Sequence, residues 1–311
     1  MKNISCVAIF LALFAAQTIK ADEKPVKVFV LAGQSNMVGT GVVKSNPNRN
    51  GGRGSLEFLA KDPKTSGKFR KLMGDNGQWL VRNDVIINFL DRKGPLTVGF
   101  GGNSDQIGPE LGFGQITGDF YDEPVLLIKL AWGGKSLAQD FRPPSSGGTT
   151  GPFYREIVEQ TKEILTKFDD KFPQFKGRGW QLVGFGWHQG WNDRVNQAFN
   201  DEYEKNMANF IRDIRKDLGV INLPFVIAET GMTGPNEKHP RALSLMKAQA
   251  AVAEYQEFKG NVSFVKTRDF WREKEESPSG QGYHWNTNAE TYFLIGEAMG
   301  QAMLKLTDEA K

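Results

Sequence analysis

The sequence predicts an α/β fold in which a parallel sheet is covered by helices on both faces. Two patterns point there: short apolar runs of strand length, and amphipathic helical stretches lying between or after them. The chain is 311 residues long, with one cysteine and three histidines. That length allows one large domain with a core big enough to hold without disulfides.

From the amino terminus, residues 1–21 read as a secretory signal peptide. Lys2 precedes an apolar stretch at 7–16, and a small residue, Ala21, marks a cleavage point. The stretch is short for a bilayer span, which disfavours an uncleaved anchor. The sole cysteine, Cys6, lies in this segment, so the mature chain carries no disulfide despite an export route that permits them. Cleavage removes two of the 39 cationic residues and none of the 36 acidic ones, so the formal charge falls from +3 to +1. That balance gives no reason to expect nucleic acid or an anionic membrane as partner. The expected location is secreted or periplasmic.

Residues 22–311 read as one domain. Five apolar runs are expected to be buried strands: 26–32, 125–131, 182–187, 225–228 and 262–265. In the first, Val26, Val28 and Val30 face one way and Phe29 and Leu31 the other. Helical patterns occupy 153–168, 201–218, 240–258 and 288–306; in the third, Leu243, Met246, Ala250 and Ala253 recur at helical spacing. Residues 44–104, rich in Gly, Asn, Lys and Arg with one short apolar stretch around Trp79-Leu80-Val81, read as an insertion containing a small hairpin, near the mouth of the site.

The candidate chemistry sits where strands end, the place where open α/β sheets bind ligands. Gly33 permits a sharp turn after the first strand, and Ser35 follows in Gln34-Ser35-Asn36-Met37. Ser35 is the candidate nucleophile and needs a base to take its proton. His284, in Gly282-Tyr283-His284-Trp285-Asn286, is the candidate base, and its distance along the chain is no objection. Gly108-Pro109-Glu110 offers a backbone N–H at a helix start, and Gln189 in Trp187-His188-Gln189-Gly190-Trp191-Asn192-Asp193 offers a side-chain amide; either suits a developing oxyanion. Gln34 and His188 are further orienting or substrate-binding candidates. Trp132, in Ala131-Trp132-Gly133-Gly134, and Trp191 are candidate faces for sugar rings.

Taken in order, these segments resemble the SGNH hydrolase superfamily, and most of all its sialate O-acetylesterase and carbohydrate esterase family 6 branch. The resemblance spans most of 26–305 and rests on Gly33-Gln34-Ser35-Asn36-Met37, Ile107-Gly108-Pro109-Glu110, Ala131-Trp132-Gly133-Gly134, Trp187-His188-Gln189-Gly190 and the His284 segment. It implies a three-layer α/β/α, flavodoxin-like fold with a central parallel sheet. It also implies metal-free and cofactor-free removal of acetyl groups from carbohydrates. In that scheme Ser35 is the nucleophile, His284 the base, and the Ser35 N–H, Gly108 and Gln189 form the oxyanion hole. Two habitual acids are missing. The position three before the histidine is Gln281, and the position after the Gln-Gly pair is Trp191. A backbone carbonyl, Gln281 itself or Asp193 is left to orient His284. The expected activity is an exported carbohydrate O-acetylesterase acting on an acetylated saccharide. A weakly catalytic carbohydrate-binding protein and a lipid or thioester hydrolase are the rival readings.

Overall fold

A computed structural model describes residues 24–308, so the segment read as a signal peptide lies outside the described residues. In chain order the strands are β1 (Val26–Gly33), β2 (Gly41–Val42), β3 (Arg82–Phe89), β4 (Arg92–Leu96), β5 (Gln106–Ile107), β6 (Val125–Ala131), β7 (Trp180–His188), β8 (Phe225–Ala228) and β9 (Val262–Val265). The helices are α1 (Ser35–Val38), α2 (Leu56–Lys61), α3 (Ser66–Phe69), α4 (Pro109–Phe120), α5 (Pro152–Thr166), α6 (Phe168–Lys171), α7 (Trp191–Arg194), α8 (Gln197–Leu218), α9 (Pro240–Ala253) and α10 (Ala289–Asp308).

Seven strands form one sheet in the order β4-β3-β6-β1-β7-β8-β9. All neighbours are parallel except the β3–β4 hairpin, which closes one edge. Within it, β6-β1-β7-β8-β9 has the flavodoxin-like order, with β1 flanked by β6 and β7. The chain leaves β1 towards one side of the sheet and later returns to the other. The carboxyl end of β1 is therefore the topological switch point.

The alternation read from β1 divides the core. Val26, Val28, Val30 and Ala32 pack with Ile157 of α5 and Phe210 and Ile211 of α8. Phe29 and Leu31 pack with Phe113 of α4 and Met299 of α10. The molecule is thus three layers, α/β/α, and all five strands read from the sequence are present. On the second face α4 and α10 touch backbone to backbone. A Cβ at Gly112 would lie 2.1 Å from the Phe293 carbonyl oxygen, and one at Gly296 would lie 1.9 Å from that of Pro109.

The region 44–104 contains helices α2 and α3 and the β3–β4 hairpin at one sheet edge, with β3 paired to β6 in the main sheet. Trp79 makes an isolated antiparallel bridge to Met73, while Leu80 and Val81 are exposed. One expectation is corrected. In α9 the buried face is Ala242, Leu245, Met246, Gln249 and Val252, while Leu243 points outward. Among the described residues, no helix is long and apolar enough to cross a membrane.

Candidate functional site

Ser35 opens α1 directly beyond β1, at the switch point. Gly33 is required there because a Cβ would sit 2.2 Å from the His188 carbonyl oxygen, and Gln34 N–H donates to that same carbonyl at 3.2 Å. The ends of β1 and β7 are thereby drawn together. Gln34 is buried and does structural service: its Oε1 accepts from the Gly190 and Asn192 N–H groups at 3.1 and 3.3 Å, and its amide donates to Asn192 Oδ1 at 3.1 Å. Ser35 itself is half-buried, and neither its hydroxyl nor its backbone N–H bonds to another described residue. A free N–H is what the first turn of a helix leaves over. Gly133, beyond the end of β6, flanks the serine: a Cβ there would lie 3.8 Å from Ser35 Cβ.

The structure brings the His284 segment to this turn. Asn36, next to Ser35, donates from Nδ2 to the Tyr283 carbonyl at 3.2 Å. The buried Tyr292 hydroxyl lies 2.8 Å from Asn36 Oδ1, 3.0 Å from Thr40 Oγ1 and 3.3 Å from the His284 carbonyl. One side chain from each terminal region therefore ties the two loops together. Beyond His284 the backbone turns left-handed for three residues, Trp285, Asn286 and Thr287, at φ of 53°, 53° and 54°. Such a run is costly for side chains with a Cβ. It is held by burial of Trp285 and by the Asn286 amide donating to the Arg272 carbonyl at 2.9 Å.

Of the candidates to replace the missing acid, neither the Gln281 nor the Asp193 side chain bonds to the His284 ring; Gln281 meets this residue through its backbone carbonyl, which accepts the His284 N–H at 2.8 Å. The Gln281 amide donates to the Tyr283 hydroxyl. Asp193 is buried and accepts from Leu137 and Ala138 N–H at 2.8 and 2.9 Å and from the Gln189 amide at 2.5 Å. Burial pushes its carboxyl up to about 7, with those three donors pulling the other way. Burial alone pushes the His284 imidazole below its ordinary value. Trp191 instead packs on Tyr283 at 5.9 Å between ring centroids, and Arg194 lies over its indole at 4.3 Å.

Two of the three expected oxyanion donors have other partners. Gly108 N–H donates to Glu110 Oε1 at 2.7 Å, and the Gln189 amide is shared between the Lys135 carbonyl, at 3.0 Å, and Asp193. His188 is fully buried with both ring nitrogens unpartnered. Burial pushes it down to about 4, although the nearby Asn36 backbone, short of a hydrogen bond, slightly favours the charged form. Among the described residues, no group of three His, Cys, Asp or Glu side chains gathers for a metal.

The family model described as carbohydrate esterase, sialic acid-specific acetylesterase, matches residues 25–305. The chain belongs to this family. The fold agrees with solved structures. A protein from Arabidopsis thaliana superposes with a TM-score of 0.58 at 18% identity, covering 90% of this chain and 98% of its own. A carbohydrate acetylesterase from Xanthomonas citri superposes with a TM-score of 0.56 at 12% identity, covering 90% of this chain and 56% of its own. No curated protein matches the chain. Family membership supports a carbohydrate esterase.

For an esterase of this family the neighbourhood of Ser35 offers an open cleft of about 680 Å³, lined by Val38, Leu90, Asn103, Trp132, Gly133 and Phe153 among others. Trp132 is half-buried, 5.0 Å from the Phe153 ring. The sequence reading did not single out Tyr292, Lys129 or the side chains of Asn36 and Glu110. Lys129 alone left a signal, as a lone cation inside the apolar run of β6.

Proposed function

We propose that this chain is an exported serine esterase that removes O-acetyl groups from carbohydrates. The observation that carries the reading is Ser35, unpartnered at the switch point and joined through Asn36 and Tyr292 to the loop bearing His284. Ser35 Oγ attacks the acetyl carbonyl while His284 accepts its proton. The tetrahedral oxyanion takes hydrogen bonds from the Ser35 and Gly133 N–H groups, neither of which has an acceptor among the described residues, with Gly133 lying beside the nucleophile. The bond to the sugar oxygen then breaks, and His284 returns the proton to that oxygen. Water, deprotonated by His284, attacks the acetyl-serine; the bond to Ser35 Oγ breaks, His284 returns the proton to Oγ, and acetate leaves. Gln189 and Asp193 act in this scheme as the scaffold of the loop beyond β7. Export rests on the charge and apolar pattern of residues 1–21.

The test is acetate release from acetylated saccharides and from 4-nitrophenyl acetate. Ser35→Ala is expected to lower kcat by at least about a thousandfold, the scale of losing a nucleophile. Equal rates for the variant and the wild type reject the assignment. That no carboxylate among the described residues bonds to His284 favours a second reading, a saccharide-binding protein with little turnover. Saccharide binding that survives Ser35→Ala, with no acetate released by the wild type, selects it.

A further inference from the structure

Lys129 stands on β6 at a position whose neighbours on the same face, Leu127 and Ala131, belong to the core. It is fully buried, as is its partner Glu110, at 2.6 Å. An ammonium group in such a place is tolerated only when every proton has an acceptor. Lys129 Nζ meets that condition with Glu110 Oε2, the Val38 carbonyl at 2.7 Å and the Phe100 carbonyl at 2.7 Å. The Phe89 ring lies 4.4 Å away.

The three acceptors belong to three different parts of the site. Val38 ends α1, the single turn that Ser35 begins. Phe100 lies in the loop whose Gly99, Gly102, Asn103 and Ser104 line the cleft beside Gly133. Glu110 sits in the first turn of α4, and its other oxygen holds the Gly108 N–H. The same loop is clipped twice more: Arg92 donates to the Gly99 and Gly101 carbonyls, and Gly102 N–H donates to the Gly39 carbonyl at 2.8 Å.

We infer that Lys129, held by Glu110, is a positioning residue that fixes the serine turn against the rim of the cleft. The inference rests on the esterase reading of Ser35. A plain structural ion pair would set stability alone. A positioning cation also sets kcat, because displacements near 1 Å at a nucleophile cost on the order of a hundredfold. It carries a pH signature too. The charged groups facing Lys129 are Glu110 on α4, which supports its proton, and Arg92 on β4, which opposes it. Burial dominates and pushes Lys129 down to about 8.

The experiment follows hydrolysis of 4-nitrophenyl acetate against pH in the wild type, Lys129→Met, Glu110→Gln and Ser35→Ala, with circular dichroism as a check on folding. Wild-type kcat is expected to fall as pH rises through about 8. Folded Lys129→Met is expected to show kcat at least tenfold lower at neutral pH and no alkaline fall. Glu110→Gln is expected to move the fall to lower pH, since the carboxylate no longer supports the proton. A folded Lys129→Met within twofold of wild-type kcat overturns the inference. An alkaline fall unmoved in Glu110→Gln also overturns it, and that variant decides if Lys129→Met does not fold. If Ser35→Ala is as active as the wild type, or the wild type is inert, the esterase reading fails instead.

Discussion

His188 ends β7 with its imidazole sealed from water and both nitrogens without a partner. Its charged form is disfavoured when folded, at about 4, and ordinary when unfolded, at 6.5. The unfolded chain therefore binds a proton that the folded chain refuses between those values. This contribution to stability is complete above pH 6.5 and is lost as pH falls towards 4, by about 3 kcal/mol at most. Asp193, raised from 3.8 to about 7, works in the opposite sense over an overlapping window, so only a variant separates them. Urea unfolding of His188→Leu at pH 7 and pH 4.5 is expected to show a smaller acid loss than the wild type; equal losses reject the account. The residue scale is also where the sequence was least legible. Gln34-Ser35-Asn36 led to the serine turn because its motif is local. The partners of Gly108 and Gln189, namely Glu110, Lys135 and Asp193, were not legible because they are fixed only by folding.

Helices α4 and α10 pack through glycines, and that contact sets where the His284 segment enters α10. Gly296→Ala places a methyl 1.9 Å from the Pro109 carbonyl and 2.9 Å from Phe113 N, both backbone atoms that cannot swing aside. Alanine gains about 1 kcal/mol in helix propensity. Overpacking costs about 1–3 kcal/mol, and more where backbone must shift. Net destabilisation of about 1 kcal/mol or more is expected in thermal or urea unfolding, with a loss of esterase rate as α10 is pushed away. The start of α4 was legible from Gly108-Pro109-Glu110 but its length was not, since Gly112, Gly114 and Gly118 weaken the helical signal that tertiary packing then overrides. β3 was hidden differently. Its first three residues are the polar Arg82-Asn83-Asp84, and it sits near the sheet edge, where its apolar stretch is short. The buried strands β1, β6, β8 and β9 were legible to within a residue because both their faces are covered.

At the scale of the molecule, the sheet order places the serine turn, the Trp132 loop, the Gln189 loop and the cleft at one end of the sheet. Trp132, braced by Phe153 and Phe141, is the one tryptophan bordering that cleft. An aromatic contact of about 0.5–1.5 kcal/mol corresponds to a two- to tenfold change in affinity. Trp132→Ala is expected to raise KM for an acetylated saccharide by about that factor and to leave 4-nitrophenyl acetate within about twofold. Parallel losses on both substrates remove the sugar-platform role. The left-handed run from Trp285 to Thr287 has a consequence for the whole assembly. A right-handed helix starting at α10 cannot propagate backwards through it, so α10 cannot recruit the imidazole into its own first turn. The loop bearing His284 is thereby cut off from any backward growth of the last helix by a reversal of backbone handedness.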